Sequence, residues 1–359
     1  MSHIQDLRII DVRNIKPIKF HVGVSLRHLI VTGRNGAGKT TLLNAIKREL
    51  GLIKNNHPSV LASNRQVYDQ RIKLALDLGE QELKDIKAAL DREVPYGKRE
   101  VFLNLGAGLP ESFIVVSFDS KRLTNPSVPK GPMKFQPVER KEISSKAGQQ
   151  IVQYLVNLWT EKAYANTDND MGRVEEIDRW FEDFRVNLAA LFEDESLRLV
   201  FDRKIYNFWV HQASKEPFSL NQLSDGLSSA FSIISELIMR MQNDGATASF
   251  DQSGIVLIDE VETHLHVSLQ KLILPFLTRL FQNIQFIVTT HSPFVLSSIS
   301  DSVILDLDRG EVFNDFSGFS YEAVLEDFLD VDKYSIVLKE AIGNIERLVG
   351  EKIMMRLSH

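Results

Sequence analysis

The sequence contains no cysteine in 359 residues. Disulfides, thiolate nucleophiles and Cys-ligated zinc are excluded together, and a reducing compartment, the cytoplasm, is expected. Long apolar runs are missing as well. No stretch approaches 18 uncharged apolar residues, so no membrane span is expected. Residues 1–16 carry Asp6 and Asp11 inside their apolar stretch and lack the continuous hydrophobic region of a secretory leader. There is no excess of positive charge: 42 Lys+Arg face 48 Asp+Glu, a net charge of −6. The chain is not a polycation built for phosphate backbones, so any nucleic-acid contact has to come from a local patch. With 43% hydrophobic and 25% charged residues the composition is that of a globular protein, which excludes disordered and collagen-like chains. No internal repeat is evident.

Short apolar runs at residues 29–32, 113–118, 255–258, 286–289 and 303–307 have the length and β-branched content of buried strands. Between them, Leu227, Ala230, Phe231, Ile234, Leu237, Ile238 and Met241 keep helical spacing, as Leu42, Leu43 and Ile46 do more briefly. Strands alternating with helices at both ends predict an α/β fold, a mixed sheet flanked by helices. Residues 54–215 read differently. Ile72, Leu74, Leu76 and Leu78 alternate with polar neighbours, and residues 197–202 and 204–211 form two half-buried strand patterns around a tight turn. Two amphipathic helices lie between these strand patterns, one through Ile151, Val152, Leu155, Leu158 and Trp159, the other through Val174, Ile177, Phe181, Phe184, Leu188 and Leu191. The second keeps a 3-4 spacing for under three heptads, which favours a packed helix over a coiled coil. The expected organisation is a core of residues 1–53 and 216–359, interrupted by an α+β insert of residues 54–215.

The segment Gly33-Arg34-Asn35-Gly36-Ala37-Gly38-Lys39-Thr40 satisfies G-x-x-x-x-G-K-[ST], between a predicted strand and a predicted helix. Glycines let the backbone curl so that N–H groups point inward at phosphate oxygens, and the following helix adds its positive end. Lys39 is placed to reach the β- and γ-phosphates and Thr40 to ligate Mg²⁺; Arg34 to Thr41 form the nucleotide-binding run. Ile255 to Ile258 end in Asp259 and Glu260. In a strand buried on both faces, acids are tolerable only at the carboxyl end, where open α/β sheets bind ligands. Asp259 can join the Mg²⁺ shell, and Glu260 can polarise the attacking water as general base. The run Phe286 to Thr290 delivers His291, whose neutral imidazole can hydrogen-bond a γ-phosphate oxygen or that water. Leu223-Ser224-Asp225-Gly226 precedes the strongest amphipathic helix and offers Ser224 and Gly226 as a second anion site at a helix start.

In order and spacing, these four segments resemble the ABC-class ATPases of the SMC/RecF type, P-loop NTPases with an ABC ATPase head. Within them the similarity is to the short-insert branch, which includes the overcoming-lysogenization-defect ATPases and those of Septu-, PARIS- and retron-type bacterial defence systems. The motifs cover residues 23–50 and 218–310; flanking residues 218–221 and 262–266 are also similar, and residues 113–210 match more loosely. The resemblance implies ATP and Mg²⁺ as cofactors. It makes Lys39 and Thr40 the phosphate-loop residues, Asp259 the magnesium-shell acid, Glu260 the catalytic base and His291 the switch histidine. Ser224 and Gly226 become a signature that reaches across a homodimer, or within a higher homo-oligomer, to the γ-phosphate on the other subunit. A separate effector partner, a nuclease or toxin, is also implied. Val261 and Val267 stand where these proteins usually have Pro.

Other signals are weaker. Arg122 sits in a place similar to the Q-loop; it reads as surface charge, with a γ-phosphate or insert contact as the alternative. Lys121, Arg122, Lys130, Lys134, Arg140, Lys141 and Lys146 outnumber Asp119, Glu139 and Glu142 in a proline-rich stretch, most simply a solvated loop and otherwise a nucleic-acid or acidic-partner surface. His264 and His266 lack a third metal ligand in view. Asp306-Leu307-Asp308 has the D-x-D form of nuclease cores, but strand-end acids account for it better. Two further readings of the whole chain stand beside a switching ATPase: a slow-turnover scaffold that holds an effector, and a RecF-like DNA repair or recombination ATPase.

Overall fold

The computed structural model describes residues 2–10, 12–55, 101–106, 109–110, 112–122, 126–133, 143–144, 146–213, 215–242, 247–248, 250–329 and positions 341, 344, 345, 347 and 349. The chain opens with strands β1 (Asp6–Ile9), β2 (Ile18–His21) and β3 (His28–Thr32), then helix α1 (Lys39–Asn55). Strands β4 (Val101–Asn104) and β5 (Ile114–Phe118) precede the helices α2 (Ile151–Thr167) and α3 (Met171–Leu191). Next come β6 (Arg198–Asp202), β7 (Asn207–Gln212), β8 (Lys215–Ser219) and α4 (Asp225–Arg240). The last stretch alternates β9 (Gly254–Ile258), α5 (Val267–Leu280), β10 (Ile284–Thr289), α6 (Pro293–Leu296), β11 (Ser302–Asp306) and β12 (Glu311–Asn314).

The central sheet has the order β12-β11-β3-β10-β9-β5, parallel except for the antiparallel edge strand β12. Every residue of β3, β5, β9, β10 and β11 is buried. Side chains alternate across a strand, so each strand feeds two cores. Leu29, Val31, Val115, Ile255, Leu257 and Ile287 meet Leu42, Leu43 and Ile46 of α1 and the small antiparallel sheet β2-β1-β4. Ile30, Val116, Val256, Ile258, Phe286 and Val288 face the other way, against α4 and α5. The P-loop NTPase α/β class follows: β3 feeds a loop and α1, with the strands ending in Asp259 and His291 on one side of it. Among the described residues, no helix is long and apolar enough to cross a membrane.

The second core continues without a break into the middle of the chain. Helices α2 and α3 form an antiparallel hairpin whose turn places Asn169 at φ +59°, a left-handed conformation that asparagine tolerates. Asp170 caps α3, its carboxylate accepting the Arg173 N–H at 3.1 Å. Trp159, Trp180, Phe181, Phe184 and Phe208 pack ring against ring and seat the hairpin on the antiparallel sheet β6-β7-β8. The 3-4 stripe of α3 therefore packs on the aromatic core, α2 and α5. The boundary expected at residue 54 needs correction. β4 and β5 fall within residues 54–215, yet β4 pairs with β1 and β5 pairs with β9, because their apolar runs complete the two core sheets. The alternating stretch at residues 72–78 lies outside the described residues.

One buried histidine ties this core to pH. His28 on β3 is 6% exposed, and its Nδ1 accepts the Phe286 N–H at 3.1 Å. Burial pushes its pKa down to about 4, against the opposing charge of Asp301. Between that value and the ordinary 6.5 the unfolded chain binds the extra proton, so stability falls as pH falls through this window. The loss reaches about 3 kcal/mol below pH 4, at 1.36 kcal/mol per unit. His28→Gln keeps an acceptor and does not titrate. Its denaturation midpoint is expected to change less between pH 7 and pH 4 than that of the wild type, and equal slopes would count against this account.

Candidate active site

The site begins where β3 ends. Residues 33–38 turn between Thr32 and the start of α1 at Lys39. Gly36 at φ +85° and Gly38 at φ +103° hold conformations that side chains rarely adopt, and a Cβ on Gly38 would lie 3.1 Å from Ile15. Arg34, Asn35, Gly36 and Thr40 are exposed, Ala37, Gly38 and Thr41 half-buried. Lys39 is buried, and its Nζ donates to the carbonyls of Gly33 at 2.9 Å and Arg34 at 3.1 Å. Burial lowers its pKa, while Glu260, Glu262, Asp259 and Asp308 pull it back up. The loop is also held from outside: the Arg34 N–H donates to Asp308 Oδ2 at 2.5 Å.

β9 lies one strand from β3, across β10, so their carboxyl ends meet at the loop. Thr40 Oγ1 donates to Asp259 Oδ2 at 2.8 Å, and Thr289 Oγ1 donates to Asp259 Oδ1 at 2.7 Å. The Thr289 hydroxyl also accepts the Glu260 N–H at 2.7 Å. Glu260 itself adopts φ +46°, a left-handed conformation costly for a long side chain. Its Oε2 accepts from Thr263 Oγ1 at 3.2 Å.

His291 follows β10. Its backbone N–H donates to Glu262 Oε1 at 2.6 Å, while its Nε2 and Glu262 Oε2 are buried without a protein partner. Burial, and then the charge of Lys39, lowers the imidazole pKa, so the ring is neutral at pH 7 with one N–H and one lone pair. A neutral imidazole beside a buried ammonium and three carboxylates can give or take a hydrogen bond without adding charge.

The structure brings Lys39, Thr40, Asp259, Glu260 and His291 together. Ser224 and Gly226 stand apart, with no hydrogen bond to that cluster among the described residues. Ser224 is the exposed N-cap residue of α4 and its side chain makes no capping bond, although its carbonyl accepts the Ser228 N–H at 2.7 Å. The glycine has a steric reason: a Cβ on Gly226 would come within 2.8 Å of the His264 carbonyl oxygen. The first turn of α4 thus packs on the segment that follows Glu260.

Arg122 requires a correction. It is 5% exposed rather than a surface charge, and its guanidinium donates to the backbone carbonyls of Asp259, Glu260 and Val261. Both terminal nitrogens are thereby committed to backbone carbonyls, and the buried Nε has no protein partner. Thr289, Glu262 and Asp308 also touch this cluster, although motif reading gave them no role there; each lies inside a segment already singled out, which was the available signal. Asp306 and Asp308 are strand-end acids as expected: Asp306 Oδ1 accepts the Asp308 N–H at 2.8 Å, and Asp308 holds the phosphate loop. Of the basic stretch, residues 123–125, 134–142 and 145 lie outside the described residues.

Residues 121–297 match the protein family described as "AAA domain, putative AbiEii toxin, Type IV TA system". The chain is 39% identical over 133 residues to "Retron Ec83 probable ATPase" of Escherichia coli, covering 34% of this chain and 24% of that protein. It is 32% identical over 146 residues to "Septu protein PtuA" of Bacillus thuringiensis, covering 36% of this chain and 37% of that one. It therefore spans well under half the length of these relatives. Among solved structures, the SMC head domain from Thermotoga maritima aligns at 15% identity and a TM-score of 0.39, over 85% of this chain and 94% of that one. Over these stretches the chain is similar to a probable retron ATPase and to a Septu protein, and residues 121–297 to the AAA domain family.

Proposed function

We propose that this chain binds Mg-ATP at the loop of residues 33–41, hydrolyses it, and uses the ATP-bound state to close two copies head to tail. The hydrogen-bonded run Thr40–Asp259–Thr289–Glu260 beside Lys39 carries this reading. Hydroxyl and carboxylate oxygens in that arrangement are the hard donors that magnesium takes, so Thr40 and Asp259 fit as its holders. Magnesium, when bound, neutralises charge on the β- and γ-phosphate oxygens. The loop N–H groups hold the phosphates, and Lys39 exchanges its two carbonyl partners for phosphate oxygens. Glu260 orients a water and takes its proton as the water oxygen bonds to the γ-phosphorus and the bond to the ADP oxygen breaks. Neutral His291 supplies a hydrogen bond to the γ-phosphate or the water. Ser224 and Gly226 contact the γ-phosphate held by the other copy, which fits a helix start whose hydroxyl is free and exposed.

The core in this reading is residues 1–53 and 216–359 together with β4 and β5. The lobe is α2, α3 and β6–β8. Similarity to a probable retron ATPase and to a Septu protein supports a role in anti-phage defence; in this reading the chain works in the cytoplasm, and closure of the pair controls a separate effector, a nuclease or toxin. The site reading is tested by titrating magnesium against turnover. Asp259→Asn is expected to raise the magnesium concentration for half-maximal rate about tenfold or more, and an unchanged magnesium dependence would contradict it.

A further inference from the structure

Arg122 follows β5 and is buried at the base of the Asp259–Glu260 turn. Its Nη1 donates to the Asp259 carbonyl at 2.7 Å and, at 3.4 Å, to that of Asp119; its Nη2 donates to the carbonyls of Glu260 at 2.9 Å and Val261 at 2.8 Å. One planar group thus satisfies three successive carbonyls, a task that suits the rigid fork of arginine and not the compact ammonium of lysine. The Asp259 N–H donates to the Phe118 carbonyl at 3.0 Å, and the other two N–H groups of the turn are held from the opposite side. Those of Glu260 and Val261 bond to the Thr289 hydroxyl at 2.7 Å and the Thr289 carbonyl at 3.0 Å. Glu260 sits between these clamps at φ +46°, and such a conformation persists only where its surroundings over-determine it.

The next described stretch after Arg122, residues 126–133, is bonded to both the lobe and the core. The Ser127 N–H donates to the Gln149 carbonyl at 3.0 Å, the Met133 N–H to Asn157 Oδ1 at 3.0 Å, and Gln153 Nε2 to the Gly131 carbonyl at 3.0 Å. Asn221, just before the Ser224 helix start, donates to the Pro126 carbonyl. Residues 126–133 are therefore anchored on α2, the turn before it, and Asn221 near the signature.

We infer that Arg122 is a positioning residue for the proposed hydrolysis: it holds the Asp259–Val261 turn so that Glu260 keeps its left-handed backbone. The inference rests on the site reading above, and two readouts separate the two. Hydrogen exchange of a peptide spanning residues 258–263 reports the hold itself; ATP turnover reports its consequence. In Arg122→Ala and Arg122→Lys that peptide is expected to exchange about tenfold faster or more while peptides of β3 and α4 stay unchanged. The kcat is expected to fall about tenfold or more with KM within about threefold, since binding groups on the loop are untouched. Arg122→Lys keeps the buried charge and serves where Arg122→Ala does not fold. Wild-type exchange in this peptide, wild-type kcat in both variants, or exchange rising throughout the molecule would each overturn the inference. A wild-type protein without ATP turnover, with the local exchange response present, would overturn the hydrolysis reading and uphold the hold on the turn.

Discussion

Glu260→Gln is expected to bind ATP as the wild type does and to lose turnover by about 10²- to 10⁴-fold, the range for removing a general base. The amide keeps the size of the side chain and an oxygen able to accept from Thr263 Oγ1, but it cannot take a proton from water. The backbone of the turn is indifferent to the change, since Thr289 holds the N–H groups of Glu260 and Val261 and Arg122 the turn's carbonyls. The variant therefore isolates the chemical step. Steady-state hydrolysis measured beside nucleotide affinity checks it, and turnover at the wild-type rate would remove Glu260 from the catalytic role.

Lys39→Ala is expected to act on the other side of that division. A buried ammonium bonded to an anion contributes about 1.5–3 kcal/mol, which at 1.4 kcal/mol per decade is about a 10- to 100-fold loss of ATP affinity. The burial of Lys39 puts the effect toward the upper end, because the phosphate charge then has no equivalent partner from solvent. Among the described carbonyls, those of Gly33 and Arg34 lose this donor as well, so the loop is less well held even without nucleotide. Calorimetric titration with the nucleotide separates the two variants: Glu260→Gln retains affinity and Lys39→Ala does not. An affinity in Lys39→Ala within about threefold of the wild type would contradict the placement of the phosphates on this loop.

The parts of the site that were legible in the sequence share a physical origin. Strands buried on both faces read as apolar runs, and in Ile255–Ile258 and Phe286–Thr289 the first polar residues after the run mark the ligand end of the sheet. The glycines of residues 33–38 are legible because φ of +85° and +103° at Gly36 and Gly38 leaves few alternatives. Arg122 was not legible: a basic residue beside Lys121 looks solvated, and its partners lie 137 to 139 residues away. Thr289 was read as part of a strand, although its hydroxyl joins Asp259 to the Glu260 backbone. The sheet β2-β1-β4 escaped detection because its strands are four residues long and carry Arg8 and Lys19 among the apolar positions. Pattern reading finds residues that must be what they are for local reasons, whereas pairings made by the tertiary fold leave little local trace.

ATP held on Lys39 is expected to close two copies of this chain across Ser224. Mass photometry of Glu260→Gln with and without Mg-ATP tests it most directly. One protomer is expected without nucleotide and a stable pair with it, a shift lost in Lys39→Ala. A single mass indifferent to nucleotide, whether one protomer or a large standing assembly, would contradict it.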